Sequence, residues 1–123
     1  MLKDSNVIAM VAVKDLDKAK QFYGEKLELD QTHENPGGVT YTCGNGRLFV
    51  YQAPSAGSGQ ATCATREVVG IESIVTDLKA KGIVFEHYDM PGTERDGDVL
   101  IMGDMKAAWF KDPDGNILGL SQM

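Results

Sequence analysis

Val13-Lys14-Asp15-Leu16-Asp17-Lys18-Ala19 decides the reading of this chain, because the residues from Val68 onward restate its design. Setting Val13 over Val68 brings Leu16 over Ile71, Asp17 over Glu72 and Ala19 over Ile74, a constant offset of 55. Each copy opens an amphipathic helix. In the first, Asp15 is the expected N-cap, and Leu16, Ala19, Phe22, Tyr23 and Leu27 recur at helical spacing. In the second, Ile71, Ile74, Val75 and Leu78 form the apolar stripe, and Gly82 takes the position after the helix where a left-handed residue is wanted. Strand-like runs precede both helices, Val7 to Val13 and Thr62 to Val68. Three more follow each: Leu29 to Glu34, Val39 to Cys43 and Arg47 to Gln52, then Val84 to Tyr88, Lys106 to Phe110 and Ile117 to Ser121.

Both halves close on a turn-marked hairpin. The first turn is Cys43-Gly44-Asn45-Gly46 and the second is Lys111-Asp112-Pro113-Asp114-Gly115-Asn116, where proline presets φ and glycine or asparagine accepts a positive one. Matching Gly46 to Gly115 gives an offset of 69, so the second half carries extra residues, assigned to Asp89 to Gly103. Pro91-Gly92 and Asp96-Gly97-Asp98 make that stretch polar and glycine-rich, and an irregular lid or edge loop is expected there. Pro54 to Gln60 reads as a flexible linker. The expected organisation is one α+β domain over 1–123. Its first βαβββ module covers about 5–53, its linker about 54–60 and its second module about 61–122.

The chain has 123 residues, with 18 acidic and 12 basic side chains and a net charge of -6. Nucleic acid is excluded as a partner because no basic excess exists to displace counterions, and an anionic membrane surface is disfavoured for the same reason. No apolar run reaches the roughly 20 residues of a spanning helix, and the start lacks the order of a signal peptide. Two cysteines, Cys43 and Cys63, cannot build a disulfide framework and form no Cys-x-x-Cys pair. A cytoplasmic location with free thiols is expected.

Two motifs, Val13 to Ala19 with Phe22-Tyr23, and Trp109-Phe110-Lys111-Asp112-Pro113-Asp114-Gly115-Asn116, together with the duplication, resemble the vicinal oxygen chelate superfamily. This is the glyoxalase, bleomycin-resistance and extradiol-dioxygenase group. The resemblance implies paired βαβββ modules whose mixed sheet curls around a cleft with helices outside, and a homodimer. It also implies four metal-ligand positions in the members that use a metal, one on the first and one on the last strand of each module. Here these fall on Ile8, Val50, Cys63 and Gly119, a set without carboxylate or imidazole, so no metal or other cofactor is expected. His33 and His87 lie away from those positions and read as rim residues. Glu94, Asp96 and Asp98 lack the ligand count of a calcium loop. Cys63 has no identifiable base beside it, and a buried inert thiol is the commoner state.

Alternation along the strands then outlines a cavity. It places Met10 and Ala12 beside Ile8, Leu48 and Gln52 beside Val50, Ala61, Thr65 and Glu67 beside Cys63, and Ile117 and Ser121 beside Gly119. Ala9, Val11, Val13, Phe49 and Tyr51 are assigned to the helix-packing face, as is Arg66. Trp109 suits either cleft or core. The expected ligand-binding set is Ile8, Met10, Leu48, Val50, Gln52, Cys63, Thr65, Glu67, Trp109 and Gly119, with no catalytic residue. Such a lining suits a metal-free protein that sequesters a small organic ligand, a cationic aromatic if Glu67 is a desolvated acid needing a partner. The alternatives are an enzyme (a lyase, isomerase or dioxygenase) using other metal ligands or Glu67 as general base, and an assembly subunit with a collapsed cleft.

Overall fold

The computed structural model describes residues 2–123. The first module runs β1 (Ile8–Val13), α1 (Leu16–Lys20), β2 (Asp30–Asn35), β3 (Gly38–Cys43) and β4 (Gly46–Gln52). The second runs β5 (Thr62–Glu67), α2 (Ile71–Ala80), β6 (Phe85–Glu86), β7 (Glu94–Asp96), β8 (Val99–Met102), β9 (Met105–Lys111) and β10 (Ile117–Gln122). Each module builds its own mixed sheet, in the order β1-β4-β3-β2 and β5-β10-β9-β8-β7. In both, the first strand pairs parallel with the last and the remaining neighbours are antiparallel.

The repeat is real at the helices, since Leu16 and Ile71 are each the first helical residue. Asp15 caps α1 as expected, its Oδ1 accepting from the backbone N–H of Asp17 at 3.0 Å and of Lys18 at 3.2 Å. α1 then widens without a break into a π-helical turn, Gln21–Lys26, in which the N–H of Leu27 donates to the carbonyl of Phe22 at 3.0 Å. A π turn takes up one surplus residue in a helix. Accordingly the left-handed residue that ends the first helix is Glu28, φ 58°, twelve residues after Leu16, while its counterpart Gly82, φ 88°, stands eleven after Ile71.

One apolar core joins both modules. Val11, Val13, Val39, Tyr41, Leu48 and Val50 from the first sheet meet Phe22 and Tyr23, and the second sheet adds Phe110, Leu118 and Leu120 beneath Ile71, Val75 and Leu78. Phe22 reaches across to Phe110, with ring centroids 6.3 Å apart. The helices and this core occupy one face of each sheet, leaving the opposite faces open.

The segment assigned to an irregular loop is a regular element. Residues 94–102 form the β7–β8 hairpin, and β8 pairs with β9 from Met102↔Met105 to Leu100↔Ala107. β6 pairs with the other end of the same β9 edge, Phe85↔Phe110 and Glu86↔Trp109. Thus β6 and β8 together occupy the place of β2, and the extra chain splits that strand in two. The consecutive apolar run Val99, Leu100 and Ile101 supplies the strand signal, which the flanking glycines masked.

Candidate functional site

The Asp-Pro-Asp-Gly-Asn turn is where the modules are tied. Asp112, buried, receives the Tyr23 hydroxyl on Oδ2 at 2.8 Å and the Asn116 amide on the same oxygen at 2.8 Å. Its Oδ1 accepts from the backbone N–H of Asp114 at 3.0 Å and of Asn116 at 2.9 Å. The Asn116 amide also donates to the carbonyl of Ala12 at 2.7 Å, and Asp114 accepts from the N–H of Lys14 at 3.0 Å. Burial, reinforced by the Asp112 charge and hydrogen bond, drives the Tyr23 phenol far above its usual range, so it stays a neutral donor. The two motifs that carry the family resemblance are therefore one buried junction, built for architecture.

Chemistry has to be sought on the open faces. In the first sheet the register Ile8↔Arg47, Met10↔Phe49 and Ala12↔Tyr51 puts these six residues on one face, and core contacts put Val11 and Val50 on the other. Ile8 and Met10 are 42% and 53% exposed, and Phe49 stacks on Tyr51 at 6.2 Å. Leu48 and Val50, expected in the cavity, are instead core residues at 3% and 0% exposure. Gln52 shares their side and donates to the carbonyl of Lys14 at 3.0 Å. Phe49 and Tyr51, assigned to the helix-packing face, instead hold the open-face places expected of Leu48 and Val50. The cause is turn length: β3 and β4 are joined by two residues, while β9 and β10 are joined by five. The true offset at the last strands is consequently 70, as shown by Val11↔Val50 against Arg66↔Leu120. A slip of one residue flips every side chain to the other face.

In the second sheet, Thr65 and Glu67 on β5 lie on the open face with Gly119 and Ser121 on β10. Arg66 pairs with buried Leu120 and so does belong to the helix side, lining a groove of about 610 Å³ between the modules with Ala9, Leu48 and Ala64. Cys63 sits at a bulge, opposite the step from Ile117 to Leu118, which takes it out of the alternation. Partial burial, then the nearby Asp112 carboxylate, push its thiol up, away from a reactive thiolate. The expected set is thus divided. Ile8, Met10, Thr65, Glu67, Trp109 and Gly119 lie on open faces, whereas Leu48, Val50, Gln52 and Cys63 do not.

Trp109 pairs with Gly119 on one side and Glu86 on the other. A Cβ at Gly119 would stand 2.9 Å from the Thr65 hydroxyl and 3.4 Å from the indole, so glycine is what lets the ring settle across β10. Tyr88 meets the indole edge-on at 5.5 Å and 77°. It also lines a cavity of about 480 Å³ with Glu86, Lys111, Ile117 and linker residues Gly57 to Gln60. Sequence reasoning missed Tyr88, which ends the strand run Val84 to Tyr88, and Arg95, which lies in the segment assigned to a loop.

The residues present do not fit the metal centre of metal-using relatives. The expected positions Ile8, Val50, Cys63 and Gly119 offer one thiol among them, and the equivalent open-face pairs Met10↔Phe49 and Thr65↔Gly119 offer one hydroxyl. Among the described residues no three His, Cys, Asp or Glu side chains gather to hold an ion. His87 faces Asp98 at 2.7 Å, and Asp98 also receives Lys79 at 2.7 Å, which holds its carboxyl below the usual range through Lys79 first and His87 second. Glu94, Asp96 and Asp98 therefore belong to the hairpin and its ion pairs. Among the described residues no helix is long and apolar enough to cross a membrane.

Comparison with solved structures agrees with this architecture. TnmS3, an antibiotic-binding protein from Streptomyces sp. CB03234, superposes with a TM-score of 0.74 at 23% identity, over 99% of this chain and 98% of that one. A glyoxalase/bleomycin resistance protein from the same organism gives 0.70 at 24%, over 96% and 100%. Lactoylglutathione lyase from Agrobacterium tumefaciens gives 0.71 at 19%, over 97% and 93%. At these identities the likeness is one of fold. No curated protein matches the chain significantly. The profile of the Glyoxalase/Bleomycin resistance protein/Dioxygenase superfamily matches residues 6–120, and the chain belongs to that family.

Proposed function

We propose that the protein binds a small organic ligand on the open face around Trp109 and sequesters it without metal chemistry. The observation that carries this reading is the indole seated on Gly119 with Tyr88 edge-on beside it, at a place where a metal-using relative would need a donor side chain. An aromatic floor with few polar groups is the ordinary make-up of small-molecule sites. TnmS3, which shares the fold, is an antibiotic-binding protein, and that likeness supports the same class of role here. Glu67 is exposed, so water meets its charge, and the case for a cationic ligand, which rested on a desolvated Glu67, loses that support.

The homodimer enters the same proposal. Each open face of a single chain is a half-cleft, and Ile8, Met10, Phe49 and Tyr51 offer an apolar surface to cover the Trp109 face of a second copy. Sedimentation at micromolar concentration is expected to give twice 13.3 kDa. The binding reading is tested by a thermal-shift screen of planar aromatics on protein dialysed against a chelator, since a ligand of the folded state raises its melting point. Saturable stabilisation without metal supports it. Stabilisation or turnover only after a transition metal is restored overturns it.

A further inference from the structure

We propose that Tyr88 and Arg95 form an anchoring subsite for the carboxylate of an aromatic ligand whose ring lies on Trp109; this rests on the binding reading above. Across the second sheet, Glu67, Ser121, Ala107, Leu100 and Arg95 form one row from β5 to β7. Arg95 thus shares the open face with Trp109, which stands two residues from Ala107 on β9. Its Nη2 donates to the carbonyl of Tyr88 at 3.2 Å and reaches Asp89 only at 3.4 Å, on a fully exposed side chain. The other end of the fork is different. Nη1 of Arg95 and the hydroxyl of Tyr88 are both buried without a hydrogen-bond partner among the described residues.

Buried polar atoms in native proteins almost always have partners, and these two orphans, on residues joined by the Nη2–carbonyl hydrogen bond, call for an incoming group. Both can donate, and one is cationic, so the complementary group accepts only and is negative. A carboxylate meets both conditions, and a guanidinium fork matches it in geometry. The neighbouring charges agree. Glu86, beside Trp109, is countered by Lys111 at 3.6 Å, which also lines the cavity, and Asp89 lies in water. Glu67, at the other end of the row, is roughly 19 Å away at about 4.8 Å per strand. The cavity of about 480 Å³ admits a bicyclic ring system. Both anchoring residues come from the stretch that splits the second module's strand, so that extra chain gives the site its selectivity.

Calorimetric titration of the full chain, freed of metal by a chelator, with 2-naphthoate, 2-naphthalenemethanol and 2-naphthylmethylammonium tests the proposal. Naphthoate is expected to bind at least about tenfold tighter than either analogue, a difference that Arg95→Gln abolishes. Tyr88→Phe keeps the ring against Trp109 and is expected to weaken naphthoate by roughly threefold to tenfold. It serves alone should the Arg95 variant fail to fold. Equal or tighter binding of the alcohol or the ammonium, or unchanged naphthoate binding in a folded Arg95→Gln, overturns the anchor while leaving the binding reading standing. Failure of all three to bind overturns both.

Discussion

The two modules start from one plan and part ways at a single strand. In the first, β2 runs unbroken as Asp30–Asn35, exposed and polar along its whole length, and the aliphatic and aromatic face comes from β1 and β4. In the second, the equivalent strand is cut into β6 and β8, and the chain between them delivers Tyr88 and Arg95 to the open face. The core-facing residues of both modules serve the same end, a joint interior. The duplication therefore keeps the architecture, and an interruption of one copy adds selectivity.

The largest effect expected from breaking this comparison lies at the junction that holds the modules together. Asp112→Ala removes the acceptor of four hydrogen bonds and leaves Tyr23 buried without a partner. It is expected to cost about 3–5 kcal/mol in denaturant unfolding, with loss of the near-ultraviolet signal of both modules together. A loss below about 1 kcal/mol would mean that the modules hold together by apolar packing alone. Next in size is the face of β4. Val50→Ala, in the core, is expected to cost about 2–3 kcal/mol, and Phe49→Ala, on the open face, about 1 kcal/mol or less in the monomeric state. The reverse ranking would restore the register first expected from the sequence.

That register shows what the sequence discloses and what it hides. The offset of 55 and the Asp15 cap placed β1, α1, β5 and α2, because helix periodicity and capping are local signals. Strand faces carried over by offset were sound only where no turn intervened. Ile8, Met10, Thr65, Glu67 and Gly119 reached the open face, and Val50 missed it by one residue of hairpin length. Cys63 was lost to a bulge, which leaves no mark in a pattern of alternation. Tyr88 and Arg95 were unreadable for another reason. Their partnership depends on β9 receiving two separate strands on one edge, a tertiary fact.

Smaller differences between the modules sharpen the picture. Asp98 ties the inserted hairpin to α2 through Lys79 and to His87, and its carboxyl is held below the ordinary value. The stability it contributes is present above the usual aspartate value of about 4 and is lost as pH falls through the depressed folded value. Asp98→Asn is expected to flatten that part of the stability profile by about 0.5 kcal/mol, measured by unfolding between neutral and acid pH. An unchanged profile would show the pair to be inert. Glu28 holds a left-handed conformation that Gly82 fills in the second module. Glu28→Gly is expected to raise the melting temperature slightly, the relief at φ 58° exceeding the loss of its exposed contact with Lys81. A fall in melting temperature would reverse that ranking.

The chain has one tryptophan, and the central claim places the ligand on it. Emission of Trp109 in chelator-treated protein, titrated with anthraquinone-2-carboxylate, reports on that place directly. The account predicts saturable quenching at one site per chain, unaffected by added nickel, zinc or manganese, and lost in Gly119→Glu, whose side chain would displace the indole. Quenching that does not saturate, that needs a metal, or that survives Gly119→Glu unchanged would contradict it.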